Sequence, residues 1–313
     1  MVAALFAPKF IILYLFIVTG AYVHFRGKVR HKFWRQLLDH STIMAPYNCF
    51  VYATSAVPNK PYIGLDNFPD LKPLQENWET IRQEALGLFD EGYIKAASQH
   101  NDLAFHSFFK TGWTRFYLKW YGDTLPSALA LCPKTVEMVD SIPRLNAVMF
   151  AMLPAGSKLG AHRDPFAGSL RFHLGLVTPN SDDCYITVDG EDYSWRDGEG
   201  VMFDETFIHA AYNKTDTDRI ILFCDVERPL RWRFAQFINR VFKRVAVASA
   251  ATQNEEGEKV GVLNRVFSYV YIVRARAKLL KKKNRMAYYV LKWLIIGSAA
   301  YSIFLHGFTA NGQ

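Results

Sequence analysis

The chain has 313 residues and a formal net charge of +8, and 50% of its residues are hydrophobic and 15% aromatic. This composition is sufficient for a buried core and excludes a disordered chain. A mean hydropathy of −0.02 excludes a polytopic membrane protein, although one or two spans could still be present. The four cysteines stand far apart without a C-x-x-C pair, which argues against a disulfide scaffold and a cysteine zinc site.

Each end of the chain carries a long apolar segment. Residues 1–25 and 286–308 predict a transmembrane helix at each end, since about 20 apolar residues cross a bilayer core. A buried core helix is the alternative for both segments. A cleaved signal peptide is disfavoured for the first one, because its basic residues follow the apolar run and do not precede it.

Basic residues are concentrated beside these two segments, within 26–35 and 274–285. The two runs contain twelve Lys and Arg residues and no acidic residue, so the remainder of the chain is mildly acidic. This distribution argues against nucleic acid as a partner and favours anionic lipid headgroups. By the positive-inside rule it places the intervening chain on the cytoplasmic side of the cell inner membrane.

Between the ends, the sequence pattern changes from helical to strand-like and back. Residues 26–145 predict a basic juxtamembrane and helical region, with a short amphipathic helix at His31–Met44. Residues 146–229 contain short β-branched runs separated by turn residues, which is typical of a sandwich or barrel. Residues 230–285 predict a linker and basic amphipathic helices, of which Trp232–Arg244 either lies on an acidic membrane surface or packs on the domain. The predicted strands are Val148–Leu153, Leu170–Val177, Tyr185–Val188, Gly200–Phe203 and Ile220–Val226.

Three residues of the strand-rich region form a candidate metal site. His162 and Asp164 make an H-x-D pair whose side chains share one face of a strand, and His209 ends the Phe203–His209 segment. Two imidazoles and one carboxylate can bind Fe(II) as a facial triad that leaves three coordination positions open. The alternatives are a chance grouping of unrelated histidines and a hydrolytic zinc site.

A candidate anion site accompanies this triad. Arg219 begins an apolar strand, and a buried arginine needs a carboxylate or phosphate partner, such as the carboxylate of 2-oxoglutarate. In the strand Ser169–Gly175, alternation places Leu170, Phe172 and Leu174 on one face and the polar residues Arg171 and His173 on the other. That polar face suits anion binding, and a solvent-facing surface is the alternative.

Several motifs together resemble a known family, the aspartyl/asparaginyl β-hydroxylase-type Fe(II)/2-oxoglutarate oxygenases. Further stretches, among them RGKVRHKF, FFK-GW-RFYLKWYG and FCDVERPL, are similar to the bacterial lipid A 2-hydroxylases within that family. The family motifs are PAG (154–156), H-x-D-P (162–165), R-x-H-L-G-L (171–176), W-R-D-G-E-G (195–200), F-D-E-T-F-x-H (203–209) and R-I-I-L-F-x-D-V (219–226).

The resemblance implies a mainly β catalytic core, a double-stranded β-helix of the jelly-roll or cupin-like type at 146–229, with flanking helices. It implies Fe(II), 2-oxoglutarate and O2 as cofactor and cosubstrates, and lipid A or Kdo-lipid A as the membrane partner. The reaction would be hydroxylation at the 2-position of a secondary fatty acyl chain. The residues assigned by the resemblance are His162, Asp164 and His209 for iron, and Arg219, His173, Arg171 and Trp113 for 2-oxoglutarate or its pocket.

Two other functions remain open from the sequence. One is the same chemistry on an aspartyl or asparaginyl side chain of a protein, although no peptide-binding module is visible. The other is a non-catalytic, membrane-anchored cupin-like binding protein, against which the complete triad and Arg219 argue.

Overall fold

The structure is a computed structural model that describes residues 7–94, 102, 105 and 108–302. The chain divides into two units, one of residues 15–264 and one of residues 1–14 with 265–313. The second unit is helical in its described part. There Asn284 accepts a hydrogen bond from the backbone N–H of Ala287 and so caps the last helix.

Helices precede the strands, follow them and also lie between the first four strands. Proline stands in the first turn of several of them, where its missing N–H breaks no helical hydrogen bond. The described helices are α1 (Pro8–Phe25), α2 (Phe33–Leu37), α3 (His40–Ile43), α4 (Ala45–Thr54), α5 (Lys72–Glu76), α6 (Trp78–Asp90), α7 (Pro126–Leu131), α8 (Pro133–Asp140), α9 (Arg233–Phe242), α10 (Val262–Lys283) and α11 (Arg285–Ala300).

The predicted membrane spans at 1–25 and 286–308 are not supported. Within residues 7–94, 102, 105 and 108–302, no helix is both long and apolar enough to cross a bilayer. Helix α1 has 18 residues and α11 has 16, compared with the roughly 20 that a span requires. Residues 1–6 and 303–308 of the predicted spans lie outside the described part of the chain.

The core is mainly β, as predicted, and consists of two antiparallel sheets. Their orders are β1-β9-β6-β11-β4-β2-β3 and β5-β10-β7-β8. The strands are β1 (Tyr62–Ile63), β2 (Thr114–Trp120), β3 (Asp123–Thr124), β4 (Leu145–Leu153), β5 (Lys158–His162), β6 (Ser169–Val177), β7 (Cys184–Val188), β8 (Glu191–Ser194), β9 (Gly200–Phe203), β10 (His209–Asn213) and β11 (Arg219–Glu227). Because β1, β2 and β3 belong to the larger sheet, that sheet extends beyond residues 146–229.

Strand β6 has the two faces that its alternation predicts. Arg171 and His173 line a pocket to which both sheets contribute. Leu170, Phe172 and Leu174 join the hydrophobic core on the other side, which also includes α6. Helices cover this apolar face, so nearly the whole strand is buried, whereas an uncovered sheet would leave one face in water.

A buried ion cluster ties the segment after α1 to the larger sheet. Asp204, directly after β9, lies 2.5 Å from Arg26 and 2.8 Å from Arg228, and all three side chains are buried. Burial by itself would raise the pKa of Asp204, but Arg228 and Arg26 outweigh it and hold that pKa well below its usual range. Arg26 also lies over the ring of Tyr52, 3.8 Å from its centroid. The chain following α1 is therefore fixed against the core.

We expect Asp204→Ala to lower the free energy of unfolding by about 3–5 kcal/mol, because two guanidinium groups would remain buried without their carboxylate. Urea denaturation measures this loss. Asp182→Ala is the matched control, since its pair with Arg196 is exposed at the carboxylate, and a change within about 0.5 kcal/mol is expected.

The stabilisation that Asp204 provides should also depend on pH. The pKa of Asp204 is lower in the folded than in the unfolded chain, so its stabilising contribution is complete above about pH 4 and is lost at lower pH. The difference in stability between wild type and Asp204→Ala should therefore shrink in acid. An equal difference at neutral and strongly acidic pH would contradict this assignment.

Candidate active site

The three predicted metal ligands meet between the two sheets. His162 ends β5 and is the direct cross-strand partner of His209, the first residue of β10, with ring centroids 4.2 Å apart. Asp164 follows on the next loop, where its backbone N–H donates to the carbonyl of Glu205 at 2.9 Å. One ligand atom from each of the three residues lies within 4.8 Å of the others. The pairing of β5 with β10 thus produces the predicted cluster.

Backbone carbonyls orient both imidazoles. His162 Nδ1 lies 2.7 Å from the carbonyl of Gly160, and His209 Nδ1 lies 3.0 Å from that of Phe207. A carbonyl can only accept, so each Nδ1 carries the hydrogen and each Nε2 keeps its lone pair. Metal-binding histidines in proteins are usually fixed in this way.

The charges of the cluster suit a cation. Burial by itself would raise the pKa of Asp164, but Arg171, His209 and His162 outweigh it and lower that pKa to about 2. Burial and the neighbouring His162 lower the pKa of His209 to about 3. At neutral pH the cluster therefore offers an ionised carboxylate and a neutral His209 imidazole.

Arg171 is engaged by acidic residues. It contacts Asp164 Oδ2 at 2.8 Å, Asp225 Oδ1 at 2.9 Å and the Glu205 carboxyl group, and its guanidinium lies 3.8 Å from the ring centroid of Phe223. It therefore positions Asp164, whose other oxygen faces His162 Nε2 at 3.7 Å. These contacts give no support to the predicted role of Arg171 in binding 2-oxoglutarate.

Arg219 has the opposite environment. It begins β11, lines the same pocket, is only 2% exposed and has no ion pair with an acidic group in the described part of the chain. Its guanidinium lies 4.3 Å from the ring centroid of Trp195, and its Nε has no hydrogen-bond partner there. Burial lowers the pKa of Arg219 to about 10, so it remains charged at neutral pH. A buried cation in this state requires an anion from outside the protein.

Two further polar groups in the pocket lack protein partners among the described residues. Neither ring nitrogen of His173 has a hydrogen-bond partner, and neither does Trp195 Nε1. Burial lowers the pKa of His173 well below its usual range, and the nearby charge of Arg171 lowers it further, so the imidazole is neutral. Its ring is held between Phe203 and Phe223, with centroids 5.0 Å away on each side. Arg219, His173 and Trp195 together can bind a small anion with several oxygens.

An aromatic wall completes the pocket. The predicted Trp113 is buried there and packs against Phe105 and Phe108, with ring centroids 5.1 and 5.6 Å away. Phe108 also meets His162 edge-on, with centroids 4.8 Å apart. Trp113 thus supports the wall beside the metal cluster.

Sequence reasoning did not assign roles to Trp195, Glu205 or Phe108. Trp195 reaches the pocket because the following loop passes close over Gly175, where an added Cβ would lie 2.0 Å from the carbonyl oxygen of Arg196. The motifs W-R-D-G-E-G and F-D-E-T-F-x-H contain Trp195 and Glu205 and were the available signal. Phe108 begins the stretch FFK-GW-RFYLKWYG, which was the corresponding signal for that residue.

Comparison with known proteins agrees with the motifs. Residues 75–229 match the family model described as aspartyl/asparaginyl beta-hydroxylase. An ornithine lipid ester-linked acyl 2-hydroxylase of Rhizobium tropici is 37% identical over 198 residues, which is 63% of this chain and 66% of that protein. The human aspartyl/asparaginyl beta-hydroxylase is 28% identical over 164 residues, 51% of this chain and 21% of that protein.

Another relative is less similar to this chain than the Rhizobium protein is, and its alignment covers less of it. Human aspartate beta-hydroxylase domain-containing protein 2 is 28% identical over 57% of this chain and 50% of its own length. The chain thus covers less than two thirds of each of these relatives. Among solved structures, a cupin domain of a transcriptional regulator from Enterobacter cloacae matches this chain with a TM-score of 0.26 and 14% identity. The match covers 37% of this chain and 98% of that domain. This likeness is too weak to bear on function.

We expect His162→Ala and His209→Ala each to weaken binding of Fe(II), or of Co(II) as an air-stable probe, by about 100-fold or more, because each removes one of three ligands. Anaerobic calorimetry measures this. His24→Ala, outside the cluster, is the matched control and should bind as wild type does. Wild-type metal affinity in either cluster variant would remove that histidine from the site.

Proposed function

Residues 75–229 form a domain of the aspartyl/asparaginyl β-hydroxylase family, and on that premise we propose that the chain is an Fe(II)- and 2-oxoglutarate-dependent oxygenase that hydroxylates the 2-position of a fatty acyl chain of a membrane lipid. The observation that carries the proposal is the charged, unpaired Arg219 in the same pocket as the His162, Asp164 and His209 cluster. A metal site beside a buried anion site is the combination that a 2-oxo acid cosubstrate requires.

The donor set fits iron(II). Two imidazole nitrogens and one carboxylate oxygen suit Fe(II), and three ligands leave positions for a cosubstrate and oxygen. When bound, Fe(II) with 2-oxoglutarate and O2 supplies the oxidation that converts a C–H bond to C–OH, with release of succinate and CO2. The two facing antiparallel sheets that hold the cluster favour the predicted double-stranded β-helix, or jelly-roll, architecture.

Arg219, His173 and Trp195 are assigned to the dicarboxylate. Arg219 would bind the carboxylate distal to the metal through its two-pronged guanidinium, and stacking on Trp195 fixes the plane of that group. The neutral His173 would contribute one donor without adding charge. Burial of all three groups keeps water from competing for the anion.

The remaining residues orient and enclose the reacting groups. Arg171 holds the Asp164 carboxylate toward His162, so that the ligand geometry exists before the metal binds. Phe108, Trp113 and Phe223 line the pocket with apolar surface, which excludes water and accepts a hydrocarbon chain.

A lipid acyl chain is the substrate class that we favour. The Rhizobium relative is named for hydroxylation at the 2-position of an ester-linked acyl chain of ornithine lipid. The sequence resemblance and the basic runs at 26–35 and 274–285, which suit phosphates and anionic headgroups, favour a secondary acyl chain of lipid A at the cytoplasmic face of the inner membrane. A protein side chain, as in the name of the human relative, is the second candidate.

Mass spectrometry of lipid A and ornithine lipid after incubation with the purified chain, Fe(II) and 2-oxoglutarate tests the substrate. We expect one added oxygen at C2 of a lipid A acyl chain, dependent on 2-oxoglutarate. Oxygen added only to ornithine lipid would make that lipid the substrate in place of lipid A. Oxygen added only to an Asp- or Asn-containing peptide would overturn the proposal of a lipid substrate. Binding of Fe(II) and 2-oxoglutarate without oxidation of any of these substrates would favour a non-catalytic binding protein.

We expect Arg219→Met to raise the KM for 2-oxoglutarate by about 100-fold or more, because a charge-assisted, buried contact worth about 3 kcal/mol is lost. Arg219→Lys should recover part of this loss, since it keeps the charge without the two-pronged geometry. Arg196→Met is the matched control, because Arg196 is partly exposed and pairs with Asp182. An unchanged KM in Arg219→Met would refute the assignment.

A further inference from the structure

Helix α2 buries the polar residue Gln36 and exposes its apolar residues. Gln36 is buried, whereas Trp34 is 76% exposed and Leu38, the next residue after the helix, is 85% exposed. Phe33 and Leu37 are exposed as well. A helix on the surface of a protein surrounded by water has the reverse arrangement. The sequence of α2 therefore matches an apolar environment on its outer side.

The buried side of α2 is attached to the metal cluster. Gln36 accepts a hydrogen bond from Arg163, the residue between His162 and Asp164, at 3.2 Å. Arg35, which is itself exposed, donates to the carbonyl of Ala161, directly before His162, at 2.7 Å. Gln36 also donates to two hydroxyl groups, those of Ser41 at 3.1 Å and Thr42 at 2.9 Å. Whatever covers the outer side of α2 therefore lies close to the loop that holds the metal ligands.

Helix α9 repeats this reversed pattern. Its Asn239 is fully buried, accepts a hydrogen bond from the Tyr47 hydroxyl at 2.7 Å and donates to the Gly168 carbonyl at 3.2 Å. Phe234 and Phe237 on the same helix are exposed, as is Trp232 just before it. Of the two possibilities for Trp232–Arg244, packing on the domain accounts for only one side of the helix.

Contacts within residues 15–264 link these helices into one layer. The backbone of α1 at Gly20 lies against Thr42 of α3, and Cys49 of α4 donates to the carbonyl of Thr19. Phe50 of α4 meets Phe234 of α9, with ring centroids 6.2 Å apart. We call the exposed apolar residues of these linked helices together the apolar face. Its exposed residues are Ile17, Val18, Tyr22, Phe25, Phe33, Trp34, Leu37, Leu38, Ile43, Trp232, Phe234, Phe237, Ile238 and Val241.

The charges around the apolar face identify its occupant. Residues 26–38 and 231–245 each contain five Lys or Arg residues and no Asp or Glu, and among these Arg26, Lys28 and Lys243 pair with acidic residues of other segments. Arg30, Lys32 and Arg233 are exposed and have no ion pair with an acidic group among the described residues. Aromatic and aliphatic groups interspersed with cations match the surface of an anionic bilayer. A second copy of the chain fits poorly, because a two-fold interface would bring like charges together.

We propose that the apolar face docks on an anionic lipid bilayer through α2 and α9, so that a substrate acyl chain enters the pocket beside α2. The docking deepens the proposed function, because entry of the chain rests on the lipid substrate. With α2 on the membrane, the loop of His162, Arg163 and Asp164 lies on the side of the protein that is close to the lipid. It requires no membrane-spanning helix.

Spin labelling of the full chain tests the docking without any catalysis. Nitroxides are attached to Trp34→Cys and, as a matched control on another exposed surface, to Leu129→Cys, both in a Cys49→Ser background, since the other three cysteines are buried. On vesicles of phosphatidylglycerol and phosphatidylethanolamine, the label at 34 should relax faster with O2 than with a nickel chelate. The label at 129 should show the reverse.

Two results of this experiment would overturn the docking. One is a label at 34 that is as accessible to the nickel chelate as the label at 129, which means that this face does not meet lipid. The other is protection of the label at 34 that rises with protein concentration in the absence of vesicles, which means that a second copy covers the face.

An activity measurement connects the docking to substrate entry. The double variant Trp34→Ser with Leu38→Ser should hydroxylate vesicle-embedded lipid about tenfold more slowly or worse, with its affinity for 2-oxoglutarate unchanged, and Leu129→Ser should equal wild type. Wild-type rates in the double variant would overturn entry beside α2. If the wild-type protein hydroxylates no lipid, the proposed function fails, whereas the spin-label result for the docking stands.

Discussion

The contact of Arg171 with three carboxyl groups is the interaction on which the rest of the site depends. It joins β6 to Asp164 on the metal loop, to Glu205 before β10 and to Asp225 on β11. Burial raises the pKa of Glu205 and of Asp225, whereas Asp164 is held ionised. One guanidinium therefore connects both sheets and leaves the negative charge on the residue that faces the two imidazoles.

Two arginines of neighbouring strands consequently have different functions. Arg171 is neutralised within the protein and positions a side chain, whereas Arg219 is equally buried and keeps its charge without an acidic partner among the described residues. Leaving a cation unpaired in the interior costs free energy, and the cost is offset only when an anion binds. Under the proposed function, this asymmetry accounts for the selection of an anionic cosubstrate beside the metal cluster.

Much of this arrangement could be predicted from the sequence, because the side chains of a strand alternate between its two faces with a period of two residues. The five predicted strands are present, and the two faces of β6 are as expected. Trp195 and Phe108 could not be placed in the pocket, because they reach it from a loop and from a short 3-10 helix whose positions depend on tertiary packing. The ion pairs of Arg171 were not predicted either, because Asp225 and Glu205 come from segments distant in sequence and no local pattern pairs them with Arg171. The predicted spans are not supported, because within the described residues no helix is both long and apolar enough to cross a bilayer.

In the function and the docking that we propose, the apolar face and the pocket belong to one enzyme that acts where hydrocarbon and anionic groups meet. The most direct test is the reaction of the purified chain with lipid A, 2-oxoglutarate and isotopically heavy O2, followed by mass spectrometry of both products. The account predicts one heavy oxygen atom at C2 of the acyl chain and the other in succinate, in equal amounts. Succinate formed without heavy oxygen in any lipid, or lipid oxygen derived from water, would contradict it.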